Sequence, residues 1–303
     1  MKAKLGLLFL LLMTFSCIGL GARTGEAASN LPNKLVFAYL PNEEAADGEM
    51  KKGRDMLMKD MSEYLKIPVD IVICEDYNAV IETMRNKKVQ IASFGPFSYI
   101  IAHSRSKAES ICVSATDPAN AFYYSYLISH VSTGIKTMQD IKGKRMSFVD
   151  PASTSGNLVP RAMMVATLKV KAEEIDTKLF ASVQFAGNHT NSFLAAVNKS
   201  VDVAAVSSST FDQCLQKGLA KKEDITIIIK SDPIPSSPIA MYGGLPSELK
   251  EKIRSFFLTY NKPEYFKLRK TPGYKFIEIK DENYDAIRKI AKAMKLSPEE
   301  LLK

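Results

Sequence analysis

The chain has 303 residues, of which 46% are hydrophobic and 24% charged, a composition typical of a soluble globular protein with one large or two medium domains. Its 41 basic and 33 acidic residues leave a net charge of +8, which weakly favours anionic ligands. The basic residues are spread evenly and no recognition motif is present, so we expect no nucleic-acid partner. Three scattered histidines, and cysteines without metal-ligand spacing, argue against a zinc site. Three cysteines of the mature chain are expected as free buried thiols, or as one disulfide and a spare thiol: Cys74, Cys112 and Cys214.

A secretory signal is predicted at the N-terminus. Two lysines precede an uncharged run from Leu5 to Leu20, which is the pattern of a signal sequence over residues 1–28. Two processing routes stay open: lipidation of Cys17, or cleavage near Ala27 or Ala28. No later run reaches membrane-spanning length. We therefore expect a protein of the periplasm or of the extracytoplasmic face of the membrane, either soluble or anchored through Cys17.

The first part of the mature chain alternates strands and helices. Strands are predicted over 34–40, 69–74 and 89–94, and helices over 50–65 and from Asp76-Tyr77 to Met84. This alternation indicates a parallel sheet covered by helices. Gly95 to Tyr99 leaves the third strand at its carboxyl end, where such sheets bind ligands. Phe94 and Ser98 are therefore weaker candidates for ligand contact.

The second part repeats this alternation. Strands are predicted over 145–149, 179–185 and 201–206, and helices over 158–170 and 192–198. A short local echo accompanies the repeat, since Asn86 to Ala92 resembles Asn198 to Ala204 and each joins a helix to a strand. The pattern suggests two lobes of similar α/β architecture, each a mostly parallel sheet flanked by helices.

Two segments are predicted to cross between the lobes. The aromatic strand Phe122 to Ile128 makes the first crossing, and the strand Ile225 to Ile229, with the proline-rich segment after it, makes the second. The tail is predicted to be helical over 247–260 and 283–294. We therefore expect one lobe over 31–122 plus 238–303 and the other over 123–237, closing on a ligand by hinge motion.

The segment from Asp150 to Arg161 carries the most chemical information. A strand and an Asp-Pro turn lead into three consecutive hydroxyl residues and a glycine, and Pro160 lies in the first turn of the next helix. Unpaired N–H groups and small hydroxyls at a helix start suit an anion. An ordinary N-cap is the alternative. The spacing of a P-loop is absent.

Asp150 to Pro160 and Gly95 to Tyr99 resemble the periplasmic phosphonate/phosphite/phosphate-binding proteins of ABC transporters, the PhnD-like family. Further matches are Asp76-Tyr77, Gly187 to His189 and Ser231 to Pro235. The resemblance runs from about residue 34 to about residue 260. It implies a type II binding-protein fold, a ligand between the lobes, a membrane permease as partner, a monomer, and neither a cofactor nor catalysis.

The resemblance also implies the ligand-binding side chains, which are Tyr77, Tyr123, Ser153, Thr154, Ser155 and His189. The three hydroxyls would hold phosphorus-bound oxygens, His189 would donate a further hydrogen bond, and the tyrosines would line the opposite wall. The alternatives are a surface loop for His189 and hinge packing for Tyr123. Tyr39, at the end of the first strand, is a weak candidate.

Family members that bind aminoalkylphosphonates place carboxylates around the amine, and this sequence departs from them. The matching positions here are Ser209 and Ser237, which carry no charge. An ammonium buried without a carboxylate loses its hydration uncompensated, so we expect a phosphorus oxyanion without an amine. Glu43, Glu44 or Asp47 could instead supply the charge from the loop after the first strand.

Two other functions are compatible with parts of the sequence. A sensory binding protein that docks on a membrane receptor would use the same ligand site. A hydrolase using Ser and His is less favoured, because no G-x-S-x-G elbow is present and three adjacent hydroxyls suit an anion better than one nucleophile.

Overall fold

The computed structural model describes residues 31–40 and 48–297. The predicted signal sequence, its Cys17, and the three acidic residues Glu43, Glu44 and Asp47 lie outside the described residues. In the described part, no helix is long and apolar enough to cross a bilayer.

Two α/β halves make up the described chain. The helices are α1 Gly48–Leu65, α2 Tyr77–Arg85, α3 Pro96–Ser106, α4 Val159–Leu168, α5 His189–Val197, α6 Ser208–Gln216, α7 Ser247–Thr259, α8 Pro263–Leu268 and α9 Asp285–Ala293. The strands are β1 Leu35–Tyr39, β2 Val69–Ile73, β3 Ile91–Ser93, β4 Glu109–Ala115, β5 Phe122–Tyr123, β6 Ser125–His130, β7 Arg145–Phe148, β8 Ser182–Phe185, β9 Val203–Ser207, β10 Ile225–Lys230, β11 Ile234–Pro235, β12 Ile239–Met241 and β13 Lys275–Glu278.

A six-stranded sheet, in the order β13-β4-β12-β3-β1-β2, forms the centre of the first half. Strand β1 pairs in parallel with β2 and β3, as the alternation of strands and helices predicted. Strands β4, β12 and β13 add antiparallel pairs. Helices α1 and α7 to α9 pack with this half, together with α2 and α3.

A five-stranded sheet, in the order β10-β6-β9-β7-β8, forms the centre of the second half. Its β7 pairs in parallel with β8 and β9, while β6 runs antiparallel to β9 and β10. Strands β5 and β11 form a separate two-stranded ribbon. In the sequence, each of these two strands lies between a strand of one sheet and a strand of the other. The two-lobed α/β fold class is confirmed, but each sheet is mixed rather than mostly parallel, because β12 runs antiparallel to β3 in the first sheet and β6 runs antiparallel to β9 in the second.

Several predicted element bounds were wrong. The strand expected from Leu179 begins only at Ser182, because residues 175–179 form a π-helical turn that buries Ile175 and Leu179. The helix expected from Ser192 begins at His189, because the Asn188 side chain accepts the Asn191 N–H and caps the helix. The two helices predicted for the tail are present as α7 and α9, but the short helix α8 and the strand β13, which were not predicted, lie between them.

The predicted echo between the halves has a structural counterpart. Asn86 and Asn198 end α2 and α5, and the lysine after each adopts a left-handed conformation, with φ of 60° at Lys87 and 59° at Lys199. In both halves the chain then turns back into the next strand of the sheet. The same turn therefore joins a helix to a strand in each half.

Candidate functional site

A cavity of about 290 Å³ is lined by residues from both halves. The sequence-predicted residues that line it are Tyr39, Tyr77, Tyr123, Ser153, Thr154, Ser155, His189, Ser209 and Ser237. The weaker candidates Phe94 and Ser98 are fully buried and lie outside this lining, and Ser98 Oγ donates to the Gly95 carbonyl at 3.0 Å. The structure thus brings together residues that lie far apart in the sequence.

The loop between β7 and α4 is tightly folded around three hydroxyl residues, Ser153, Thr154 and Ser155, which together are called the cradle below. Ser153 Oγ accepts the Gly156 N–H at 3.1 Å, and the Val149 N–H donates to the Gly156 carbonyl at 3.0 Å. A Cβ on Gly156 would collide with the Val149 side chain. Glycine is therefore required there by close packing, and it lets the chain coil into a π-helical turn over residues 154–158 before α4 begins.

The hydroxyls of Thr154 and Ser155 are almost completely buried, each residue being 1% exposed. Thr154 Oγ1 accepts the Phe97 N–H, which belongs to the first turn of α3 in the other half, at 2.8 Å. Ser155 Oγ has no hydrogen-bond partner, one of few such buried side-chain atoms in the described residues. A buried hydroxyl without a partner is costly, so this group is poised to meet one from a bound molecule.

Behind the cradle lies Asp150, a carboxylate that sequence reasoning did not assign to the site. It accepts the Ala152 N–H at 2.7 Å and the Tyr77 N–H at 3.4 Å. Burial raises the pKa of the Asp150 carboxyl above its ordinary value. The side chain thus ties the start of α2, which carries Tyr77, to the loop that carries the hydroxyls.

His189 is a buried first residue of α5, 7% exposed, and not a surface loop residue. Its Nδ1 accepts the Ser207 N–H at 3.1 Å. Because a backbone N–H can only donate, Nδ1 carries no proton, and Nε2 carries the ring proton in the neutral ring. Burial lowers the pKa of His189 to about 3, so the ring is neutral at ordinary pH.

Aromatic side chains form much of the remaining wall. Tyr77 is nearly fully buried, and Tyr123 lies in the two-stranded ribbon opposite Ile234. Sequence reasoning missed further lining residues from distant segments, among them Asn120, Gln213 and Arg269. No motif marks these residues, because they reach the cavity only through the folding of the chain.

The cavity holds little formal charge in its described lining. Arg269 contributes one positive charge, and none of the described lining residues is Asp or Glu. A second, larger cavity of about 720 Å³ lies on the Asp150 side of the loop. Two arginines line this second cavity, and each already forms an ion pair, Arg105 with Glu82 and Arg161 with Asp176. The second cavity is therefore a poorer candidate for anion binding than the smaller cavity.

Neither metal nor disulfide chemistry is found in the described residues. Cys74, Cys112 and Cys214 are buried free thiols, which resolves the alternatives left open by the cysteine count. Over the same residues, no group of three or more His, Cys, Asp or Glu side chains is placed to hold a metal ion. The described lining offers hydroxyls, the amides of Asn120 and Gln213, one neutral histidine and the guanidinium of Arg269.

Two α/β halves linked by crossing strands, with a polar cavity lined from both, define a periplasmic binding protein of type II architecture. The model of the phosphonate periplasmic substrate-binding proteins of ABC transporters matches residues 37–284. The chain belongs to this family.

Similar proteins agree with the family. The chain is 28% identical over 295 residues to the phosphate-import protein PhnD of Mycolicibacterium smegmatis, covering 92% of this chain and 91% of that protein. It is 32% identical over 209 residues to the phosphonates-binding periplasmic protein of Escherichia coli, covering 68% of this chain and 60% of that protein.

Solved structures show the same fold. A binding-protein component of an ABC phosphonate transporter from Pseudomonas aeruginosa has a TM-score of 0.76 at 26% identity, over 87% of both chains. PhnD1 of Prochlorococcus marinus, solved with methylphosphonate, has a TM-score of 0.75 at 16% identity, over 88% of this chain and 99% of that chain. At 16% identity the second likeness concerns the fold alone.

Proposed function

We propose that this protein captures a small phosphorus oxyanion without an amine, a phosphonate, phosphite or phosphate, and delivers it to an ABC permease. The ligand would lie in the smaller cavity. Its oxygens would meet Ser153, Thr154, Ser155 and His189, and its remaining surface would face Tyr77 and Tyr123. Family membership supports the transport role, and the site geometry supports the ligand class.

The observation that carries the proposal is the unpaired hydroxyl of Ser155. Its Oγ is buried and has no partner, while its neighbours on either side are engaged. An oxygen atom of a tetrahedral anion would supply the missing acceptor. Hydrogen bonds to charged groups are about twice as strong as neutral ones.

The expectation of an amine-free ligand rests on Ser209 and Ser237. Both line the cavity, and neither can neutralise an ammonium. Leu40 and Met50, which come before and after residues 41–47 in the chain, also line the cavity. Glu43, Glu44 and Asp47 lie outside the described residues, so a direct comparison of ligands with and without an amine decides this point.

The same geometry argues for binding rather than catalysis. A Ser/His hydrolase needs an unprotonated imidazole nitrogen facing the serine. Here the unprotonated nitrogen of His189 accepts the Ser207 N–H, and the nitrogen left over carries the proton. We therefore expect no hydrolysis of phosphonate esters above the background rate.

The two sheets would form the cores of two closing lobes, with residues 31–122 and 238–303 in one and residues 123–237 in the other. The ribbon of β5 and β11 lies at both proposed boundaries and joins the two crossing segments by antiparallel pairing. Bending there would change the distance between the sheets without breaking either one.

Titration calorimetry with phosphate, phosphite, hypophosphite, methylphosphonate, 2-aminoethylphosphonate and sulfate tests the function. We expect the phosphorus anions without an amine to bind most tightly. Ser155→Ala should weaken their binding by about tenfold to a hundredfold, since a hydrogen bond to a charged group contributes about 1.5–3 kcal/mol. Ser104→Ala, on the exposed end of α3, is the matched control and should bind as the unmodified protein does. Binding of none of these anions would refute the proposal.

A further inference from the structure

The hydrogen bonds of the cradle have a fixed polarity. Ser153, Thr154 and His189 each accept one backbone N–H, from Gly156, Phe97 and Ser207 respectively. A backbone N–H can only donate, so each of these side chains keeps a proton to donate. The two hydroxyls also keep a second lone pair, but it could accept a proton from a ligand only if the hydroxyl's own proton found another acceptor. For His189 the consequence is strict, because its second nitrogen has no lone pair to offer.

Ser155 is the cradle hydroxyl whose direction is not set in this way. It could accept a proton from a ligand only if its own proton found another acceptor. No partner is found for this buried oxygen in the described structure. Accepting from the ligand would therefore leave the Ser155 proton buried and unpaired, which is unfavourable.

A carboxylate, the usual acceptor for a ligand proton, is missing from the described lining. Asp150 lies nearest along the chain, but its oxygens face the Ala152 and Tyr77 N–H groups and the second cavity. Among the described residues, a protonated ligand oxygen that faces the cradle would thus meet donors and no carboxylate.

We propose that the cradle selects by protonation state, taking tetrahedral oxyanions whose cradle-facing oxygens all lack a proton. Resting on the phosphorus-oxyanion function above, this defines the bound species as the fully ionised phosphonate. It also extends the ligand class to sulfonates of the same size, which carry three unprotonated oxygens at any ordinary pH. The cradle's donors are neutral, so a second negative charge is not a requirement for binding.

The sign of the pH dependence separates this proposal from titration of the protein. Charged and titratable groups around the cradle are Asp76, Asp150, His189, Arg269 and the lining tyrosines. Protonation of a histidine or of a carboxylate near the anion adds positive charge and would strengthen binding as the pH falls. Loss of the ligand's ionised form has the opposite effect and weakens binding as the pH falls.

Calorimetry with methylphosphonate and methanesulfonate, from about pH 5 to about pH 9, provides the test. The second pKa of a phosphorus oxyanion is about 6 or somewhat higher. We expect methylphosphonate affinity to fall about tenfold for each pH unit below that ionisation. Methanesulfonate should bind more weakly, with an affinity that does not change over the same range.

His189→Gln is the matched variant, because an amide can accept the Ser207 N–H and still donate to the ligand without titrating. It should bind less tightly but keep the same pH dependence for methylphosphonate. Methylphosphonate affinity that is flat, or that rises on acidification, would overturn the proposal. So would a failure of methanesulfonate either to bind or to compete when it is present at a hundredfold excess over methylphosphonate. If methylphosphonate, phosphite and phosphate all fail to bind at any pH, the proposed function itself fails.

Discussion

Thr154 is expected to link ligand binding to contact between the two halves of the molecule. Helix α3 begins after Gly95, which has no side chain to cap it. Thr154 Oγ1, from the other half, accepts the N–H of Phe97 at 2.8 Å, the position that an N-cap side chain normally serves. The same hydroxyl lines the cavity and still has its proton to donate.

Thr154→Val keeps the shape of the side chain and removes both hydrogen bonds. The Phe97 N–H, fully buried, would lose its acceptor at a cost of about 1–3 kcal/mol, and the anion would lose a donor worth about 1.5–3 kcal/mol. Because the two losses share one atom, we expect a combined loss of about 2–4 kcal/mol, roughly thirtyfold to a thousandfold in affinity. Thr154→Ser keeps the hydroxyl and should lose less than about tenfold.

Calorimetry with methylphosphonate measures the affinities, and small-angle X-ray scattering measures closure. At saturating ligand, Thr154→Val should stay more open than Thr154→Ser. Ser153→Ala is the comparison within one half, because Ser153 accepts from Gly156 of its own loop. It should weaken binding and leave the closed shape unchanged. Equal affinities and equal scattering for Thr154→Val and Thr154→Ser would refute the role of the cross-half hydrogen bond.

Three further predictions concern stability, selectivity and anchoring. Burial lowers the pKa of His189 to about 3 from an ordinary 6.5, so the unfolded chain binds a proton that the folded protein does not. The free energy of unfolding should therefore fall by up to about 4–5 kcal/mol as the pH is lowered from 6.5 to about 3. In urea unfolding, His189→Gln should lose less stability than the unmodified protein over the same pH range. Ser237→Asp should raise affinity for 2-aminoethylphosphonate relative to methylphosphonate by about tenfold or more in calorimetry, whereas the uncharged Ser237→Asn should not. If Cys17 is acylated, the mature protein should partition into detergent and Cys17→Ser should release it; an unmodified N-terminus near Ser29 in mass spectrometry would contradict the anchor.

The sequence predicted the repeated strand and helix alternation because long amphipathic elements leave a periodic pattern. It did not predict β12 and β13, which have three and four residues and pair with strands far away in the chain. Helix α6 was missed as well, since it is short and rich in polar residues, although Ser207 caps it in the ordinary way. Because β12 and β13 were not predicted, the antiparallel pairs of the first sheet were not predicted either.

The residues of the candidate site also fall into those that the sequence predicted and those that it could not predict. Ser153, Thr154 and Ser155 could be proposed from sequence because they are contiguous and lie between a strand and a helix. Arg269 and Gln213 could not, because each reaches the cavity through long-range packing. The donor and acceptor roles of Thr154 and His189 could not be predicted from the sequence either, because they depend on which backbone N–H groups from other elements approach these side chains.

The loop from Asp150 to Ser155 therefore combines two tasks. Asp150 and Thr154 accept N–H groups from the first turns of α2 and α3, so the loop holds the starts of two helices in the other half. A ligand can shift an equilibrium between open and closed forms only if it binds one of them better. An anion that met the loop alone would bind both forms equally, whereas one that also contacts Tyr77 favours the closed form. In the closing motion proposed above, the hydrogen bonds from the Tyr77 N–H to Asp150 and from the Phe97 N–H to Thr154 would position the proposed second wall of the ligand site, and opening would break them.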